Sequence, residues 1–417
     1  MSSDRPLRIL YVVPYVPSPI RVRPYQLIRH LAAMGHEITL AALDDGLADP
    51  AARAELARVC AAVHIVPLMR RKSAARAFLS LGTPTPLWAA WCQSPEMETL
   101  LKSLAGSGGF DVAHVEHLRA AHFASALTPL PAILDAVDCI TALRRQMVDQ
   151  RDGDPSNRIL SYIEWSKLKR YEPRVYKNFR RLAVTSEHDA QCLLALDPLL
   201  PPIEVIANGV DLDYFAAGDR TPESDHIVFS GKMSYSANDD AARYLVTRIL
   251  PEIRSLRPRV RLTVVGSSPS PALIREAARV GGVTVTGYVD DLRPYLWQAS
   301  VGVCPMRIGV GIQNKVLEAM AASRPVVSSS LAARSVASVA NQVTSTNDLI
   351  ADAAVHVAND PGEFALRCVE LLNDPPTADR AGAAARRYVE NYHHWSIAAK
   401  AFTMLYHEVT SDSIGNR

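Results

Sequence analysis

Short β-branched and apolar runs alternate with amphipathic helical patterns along the whole chain. That alternation is the pattern of parallel sheets covered by helices. In the first half strands are predicted at 7–13, 37–42, 64–66, 112–115, 132–134, 182–185 and 204–206. A helix is expected over 25–34, with Pro24 where its missing N–H costs little and Gly35 as a left-handed stop. The rhythm restarts with strands at 227–230, 261–265, 283–286, 301–304 and 326–328, and helices near 239–256, 272–280 and 315–322. Between the halves lies Ala207-Asn208-Gly209-Val210-Asp211, a turn-forming sequence after a strand. The expected domains are 1–208 and 209–395, with a helix at 396–417 crossing back onto the first. Two α/β halves joined at one hinge would face each other across a cleft, a favoured place for ligands.

Composition narrows the function classes. The chain has 417 residues, 48% hydrophobic and 21% charged, with a formal net charge of +2. This is the balance of a globular protein with sizeable cores and argues against a nucleic-acid partner. The densest basic stretches are Arg70-Arg71-Lys72 and 167–181. Six scattered cysteines without a C-x-x-C pair argue against structural zinc and for reduced, mostly buried thiols. No apolar stretch approaches the ~20 residues that span a bilayer, and the first strand is too short for a signal-peptide core. The expected location is cytoplasmic, with peripheral contact at the inner membrane surface left open.

The densest functional signal runs from Cys304 to Ala322. A strand end is followed by a loop with Gly309 and Gly311, then by Ile312, Gln313 and Asn314, the expected N-cap of the next helix. Free N–H groups and the positive helix end face outward at such a start, and Lys315 adds a full charge. These features suit a diphosphate. Glu318, one turn along the same face, is placed to accept from a ribose diol. An ordinary capped helix with solvated Lys and Glu is the equal alternative. Other strand ends of the same half break the tie: Gly231-Lys232, with Asn238 in the following loop, then Gly266 and Gly287-Tyr288-Val289. Ligands of open α/β sheets bind beyond such carboxyl ends.

This ordered series resembles the retaining family 4 glycosyltransferases of the GT-B fold, built from two Rossmann-like domains. The resemblance covers nearly the whole chain. It includes Arg29-His-Leu-Ala-Ala-Met-Gly-His-Glu-Ile-Thr39, Val184-Thr-Ser-Glu-His-Asp-Ala190 and Ile206-Ala-Asn-Gly-Val-Asp211 in the first half. Gly231-Lys232, Val264-Val-Gly266, Thr286-Gly-Tyr-Val289 and the run from Lys315 to Met320 follow in order. It implies that Gly231, Lys232 and Lys315 hold the diphosphate of a UDP- or GDP-sugar, Glu318 its ribose, and the backbone at Tyr288 and Val289 its base. It implies transfer of a hexosyl-type sugar to a hydroxyl acceptor, either a lipid-linked glycan or a small molecule. Exopolysaccharide, cell-surface glycan and natural-product glycoside synthesis are the settings implied. No tightly bound cofactor and no metal are expected.

Two departures stand out. The family commonly pairs glutamates separated by seven residues, and the first of them falls here at Val310. The loop after the first strand carries Arg21 and Arg23, read either as anion contacts or as solvated arginines. Lys232 and Lys315 would stabilise the leaving diphosphate by preorganised charge.

In the first half Glu116 and His117 stand at a strand end and are the catalytic candidates, while His114 reads as a core histidine. Asp138, after the next strand, would orient the acceptor or steady an oxocarbenium-like sugar, with Glu187 a weaker candidate. The triplets Asp152-Gly-Asp154 and Asp211-Leu-Asp213 are short enough to arise by chance, and no metal is assigned to them. The aromatic, proline-rich stretch 78–91 is a candidate acceptor lid. Competing classes are a GT-B-fold epimerase or phosphorylase and a catalytically silent GT-B partner protein.

Overall fold

A computed structural model describes residues 5–46, 49–149, 155–218, 221–341 and 354–414. The chain divides into two compact units, Met1–Ala207 with Trp395–Arg417, and Asn208–His394.

The first unit carries seven parallel strands: β1 (Arg8–Val13), β2 (Glu37–Asp44), β3 (Ala62–Pro67), β4 (Val112–Glu116), β5 (Ala132–Val137), β6 (Arg181–Val184) and β7 (Ile203–Val205). Their order is β3-β2-β1-β4-β5-β6-β7. Successive side chains of a strand point to opposite faces, so β1 feeds two cores. Leu10 and Val12 join a cluster with Phe123, Leu134 and Tyr176, whereas Ile9, Tyr11 and Val13 join Leu27, Ile28, Trp395 and Phe402. A sheet covered on both faces needs strands that are apolar at nearly every position, and β1 is buried from Ile9 to Val13.

The helix expected over 25–34 spans Val22–Ala33, so Pro24 sits inside its first turn and no side chain caps it. Gly35 follows it with φ +90°, which a β-carbon would strain. The chain returns to this unit through the helix Trp395–Ile414, which packs on Val22–Ala33. His36 Nε2 lies 2.9 Å from Thr403 Oγ1 across that contact.

The second unit holds six parallel strands: β8 (His226–Ser230), β9 (Arg261–Val265), β10 (Val283–Val285), β11 (Val301–Cys304), β12 (Val326–Ser328) and β13 (Val355–Val357). Their order is β10-β9-β8-β11-β12-β13. The helix expected at 239–256 starts earlier, at Ser236, and continues as Ser236–Tyr244, a π-helical turn Leu245–Ile249 and Leu250–Leu256. The helix Asn314–Ala321 is held from behind by Pro375–Tyr392. There Arg386 Nη1 donates to Ala321 O at 2.7 Å, taking up a carbonyl that the helix end leaves open, and to Leu212 O in a turn at 3.1 Å. No helix among the described residues is long and apolar enough to cross a membrane.

Candidate functional site

In the second unit β9, β8 and β11 are neighbours, so their carboxyl ends bring Gly266, Gly231 and the loop after Cys304 together. Gly266 has φ +146°, and a β-carbon there would stand 1.8 Å from Gly231 O. Two strand-end loops therefore touch through backbone alone. A β-carbon on Gly231 would lie 2.9 Å from Asn238 Nδ2 and 3.4 Å from Lys315 Cε. Residues far apart in sequence, Gly231, Asn238 and Lys315, thus form one cluster.

Asn238 is not in the loop, as the sequence suggested. It lies in the first turn of Ser236–Tyr244, where its Nδ2 donates to Lys232 O at 3.0 Å. Its buried Oδ1 has no hydrogen-bond partner among the described residues. Lys232 is exposed, and Lys315 Nζ donates to Gln313 Oε1 at 3.0 Å.

Asn314 is not the N-cap. It is the first helical residue, Gln313 occupies the cap position, and neither side chain caps the helix. Asn314 Oδ1 instead accepts from Asn208 Nδ2 at 2.9 Å, while Gln313 Nε2 donates to Val310 O at 3.2 Å. Leaving the start uncapped keeps the positive helix end available to an anion.

The loop before this helix is pinned. Arg307 reaches both carboxylate oxygens of Asp240 at 2.6 and 3.0 Å, and Ser329 Oγ donates to Met306 O at 2.7 Å. Gly309, Ile312 and Gln313 are buried, and Gly311 has φ +62°. Val310 is 9% exposed, a side chain turned into the protein. Glu318 lies one turn beyond Lys315 and is half-buried. Burial pushes its carboxyl up to about 7, against the pull of Lys315. Tyr288, 67% exposed, and Val289 follow β10, two strands from β8 at the sheet edge.

The first unit gathers a different set at the ends of β1, β4 and β5. Arg23 is neither an anion contact nor a solvated loop arginine. It is buried in the helix Val22–Ala33, with Nε and Nη2 on the two Asp135 oxygens at 2.7 and 3.0 Å. The bidentate fork of arginine suits a carboxylate fully removed from water. Arg21 is part-exposed, 3.6 Å from Asp45 and over the Tyr15 ring at 4.5 Å.

Glu116 is fully buried, accepting from Tyr15 Oη at 2.6 Å and Tyr11 Oη at 3.3 Å. Burial, with Asp135 nearby, pushes it up to about 8. His114 is a core histidine, stacked on Tyr11 with Nδ1 2.7 Å from Tyr406 Oη. Burial lowers His117 well below the ordinary imidazole range, so it is neutral at pH 7. Asp138 accepts from Thr185 Oγ1 at 3.2 Å, and burial beside Asp189 raises it to about 8. Glu187 is an exposed first-turn residue of a helix capped by Ser186.

Comparison with known proteins decides the class. The Glycosyltransferase Family 4 profile matches residues 21–214, and the Glycosyl transferases group 1 profile matches residues 224–374. The chain is a GT-B glycosyltransferase of the family 4 type. It is 24% identical to a D-inositol 3-phosphate glycosyltransferase of Kribbella flavida, over 98% of this chain and 97% of that one. Its fold matches a sucrose-phosphate synthase from Thermosynechococcus elongatus with TM-score 0.68 and 16% identity, covering 97% and 100% of the two chains. Anabaena HepE in complex with UDP matches with TM-score 0.63 and 12% identity, covering 99% and 100%.

The transferase also carries features that its sequence alone does not show. His117 and Val137 are non-glycine residues with φ +71° and +68°. A β-branched valine in that region is strained, and such strain collects at functional sites. The two flank Asp135: His117 N donates to Asp135 O at 2.7 Å, and Thr185 N donates to Val137 O at 2.8 Å. Tyr15 and Arg119 also join this group, Arg119 lying over the Tyr15 ring at 5.2 Å. Lone Tyr and Arg residues in loops gave no periodic signal that could have singled them out.

His114, Glu116 and Asp135 offer ligand atoms within 4.8 Å of one another. Both carboxylates of the transferase are already engaged there, by Arg23 and by two tyrosine hydroxyls, and the adjacent guanidinium opposes a second cation. The cluster reads as polar core. Asp152 and Asp154 lie outside the described residues, while Asp211 Oδ1 accepts from Tyr214 N at 2.9 Å, an ordinary turn contact.

Proposed function

We propose that this glycosyltransferase moves a sugar from a nucleotide-diphosphate sugar to a hydroxyl acceptor with retention of anomeric configuration. The observation that carries the reading is the approach of Gly231 to the Lys315 side chain at an uncapped helix start, with Glu318 one turn further. Bare backbone, two lysines and a helix end suit a diphosphate, and the carboxylate suits a ribose diol. Lys232 and Lys315 supply the charge that stabilises the leaving diphosphate, so the transfer proceeds without a metal. Binding of UDP by the neighbour Anabaena HepE supports UDP as the first nucleotide to try.

The base rests beside Tyr288 and Val289. Asp138, neutral up to about pH 8, would donate a hydrogen bond to the acceptor, and His117, a neutral imidazole, stands at the end of the neighbouring strand. Val310 offers no hydrogen bond to a sugar hydroxyl where the family commonly has a glutamate, so selectivity for the donor sugar rests on other residues. Exopolysaccharide, cell-surface glycan or natural-product glycoside synthesis is the setting, and the acceptor is a lipid-linked glycan or a small molecule.

The purified chain, treated with EDTA, is offered a panel of UDP- and GDP-sugars, and mass spectrometry reads hydrolysis and transfer. Turnover with one donor, giving an axial or equatorial product linkage that matches the donor, supports the reading. Val310 favours a second reading, a catalytically silent GT-B protein. Thermal protection by a nucleotide-sugar with no turnover of any panel member would support that reading instead.

A further inference from the structure

The first unit exposes a group of large apolar side chains on two neighbouring segments. One is the end of the helix Arg70–Ser80 and the short helix Leu87–Trp91; the other is the front half of the helix Pro155–Tyr176. Phe78 is 73% exposed, Leu79 71% and Ile159 65%, with Leu81, Trp88, Leu160, Tyr162 and Ile163 also open to solvent. The segments are tied together. Lys167 Nζ donates to Ser80 O at 2.7 Å, and Leu87 N donates to Glu164 Oε2 at 2.9 Å. So many large apolar side chains left exposed on two segments tied to each other mark an interaction site rather than scattered surface residues.

Charge specifies the partner. No Asp or Glu occurs between Met69 and Ser94, whereas Arg70, Arg71 and Lys72 are all exposed. On the long helix the acids Glu164 and Glu172 are buried, while Lys169, Arg170 and Arg174 are exposed. Every exposed charge on these segments, among the described residues, is therefore positive. Apolar side chains flanked by arginine and lysine match an interface of acyl chains beneath anionic headgroups.

We propose that this surface docks the first unit onto an anionic lipid bilayer, Phe78, Leu79 and Ile163 entering the acyl boundary and Arg70, Arg71 and Lys72 meeting the headgroups. Given the proposed transfer reaction, docking selects the lipid-linked class of acceptor over the small-molecule class.

The test uses the full chain and sedimentation with two vesicle types, phosphatidylcholine alone and phosphatidylcholine mixed equally with phosphatidylglycerol. Binding to the anionic vesicles that weakens with added salt is expected, with the neutral vesicles bound at least roughly tenfold less. Phe78→Ser with Leu79→Ser, and separately Arg70→Glu with Arg71→Glu, should each lower binding by about tenfold or more. All four positions are exposed, so unchanged melting temperatures will show that the variants fold. Equal binding to both vesicle types, or no binding to either, overturns the proposal. So does light scattering that shows a dimer which the Phe78→Ser/Leu79→Ser variant breaks, since the surface would then join two copies of the chain. Vesicle binding does not require sugar transfer, so its failure leaves the transferase reading standing, and inactivity toward every donor leaves the docking result standing.

Discussion

Arg23 and Asp135, 112 residues apart in sequence, form a two-pronged ion pair within the core of the first unit. Glu116 lies beside Asp135, and burial raises both carboxyls. One guanidinium thus compensates charge that the low-dielectric interior would otherwise reject. Arg23→Ala leaves a buried carboxylate unpaired and should destabilise the first unit by about 3–5 kcal/mol. Urea unfolding followed by circular dichroism measures it. Arg23→Lys should recover only part of the loss, because a lysine cannot span both oxygens.

Gly266→Ala sets a methyl group against Gly231 O. Either the β8 or the β9 loop must then move, at a cost of about 1–3 kcal/mol. The expected result is a lower melting temperature for the second unit together with at least tenfold weaker UDP binding by calorimetry. Unchanged UDP affinity would show that the loop contact does not shape the ligand site.

Lys315→Ala removes the charge at the helix start without leaving a buried acid bare, since Glu318 becomes neutral more readily. Transfer should fall by about 10²–10³, in the range seen when one preorganised stabilising group is lost. The melting temperature should stay within a few degrees. Near-normal turnover would remove Lys315 from the chemistry.

Glu318 titrates near 7 in the folded chain, above the ordinary 4.5 of a glutamate. The sign follows from which form accepts the stronger bond. The ionised carboxylate takes a ribose hydroxyl better than the neutral acid does. Donor KM should therefore fall, roughly tenfold, as pH rises through about 7. In Glu318→Gln that step should vanish. Stability moves the other way: an acid raised on folding destabilises the fold as pH climbs from the unfolded value, 4.5, through about 7. A donor KM that stays flat with pH in the unaltered chain would remove Glu318 from ribose binding.

Much of the fold was legible because strand and helix periods are local. Each strand of the second sheet except β13 was anticipated from its β-branched run, and Gly266 and Gly309 were visible as glycines at strand ends and in a loop. The misreadings share a cause. Asn314 has the chemistry of a cap, yet its side chain is drawn off by Asn208. Arg23 stands in a run of loop-like prolines and arginines, yet its partner Asp135 lies on another strand. Glu116 was expected at an open strand end but is enclosed by Tyr11 and Tyr15. In each case a polar side chain had a local reading, and a distant partner outweighed it.

By itself the sequence determined the α/β alternation and the glycine-bearing helix start with Lys315, because hydrophobic period, glycine freedom and charge are properties of neighbouring residues. Tertiary structure alone decided that Gly231 backs onto Lys315, that Arg23 compensates Asp135, and that Lys167 ties the helix bearing Ile163 to the end of the helix bearing Phe78. Those relationships depend on strand order and helix packing, which join residues across a hundred positions and leave no periodic trace in the chain.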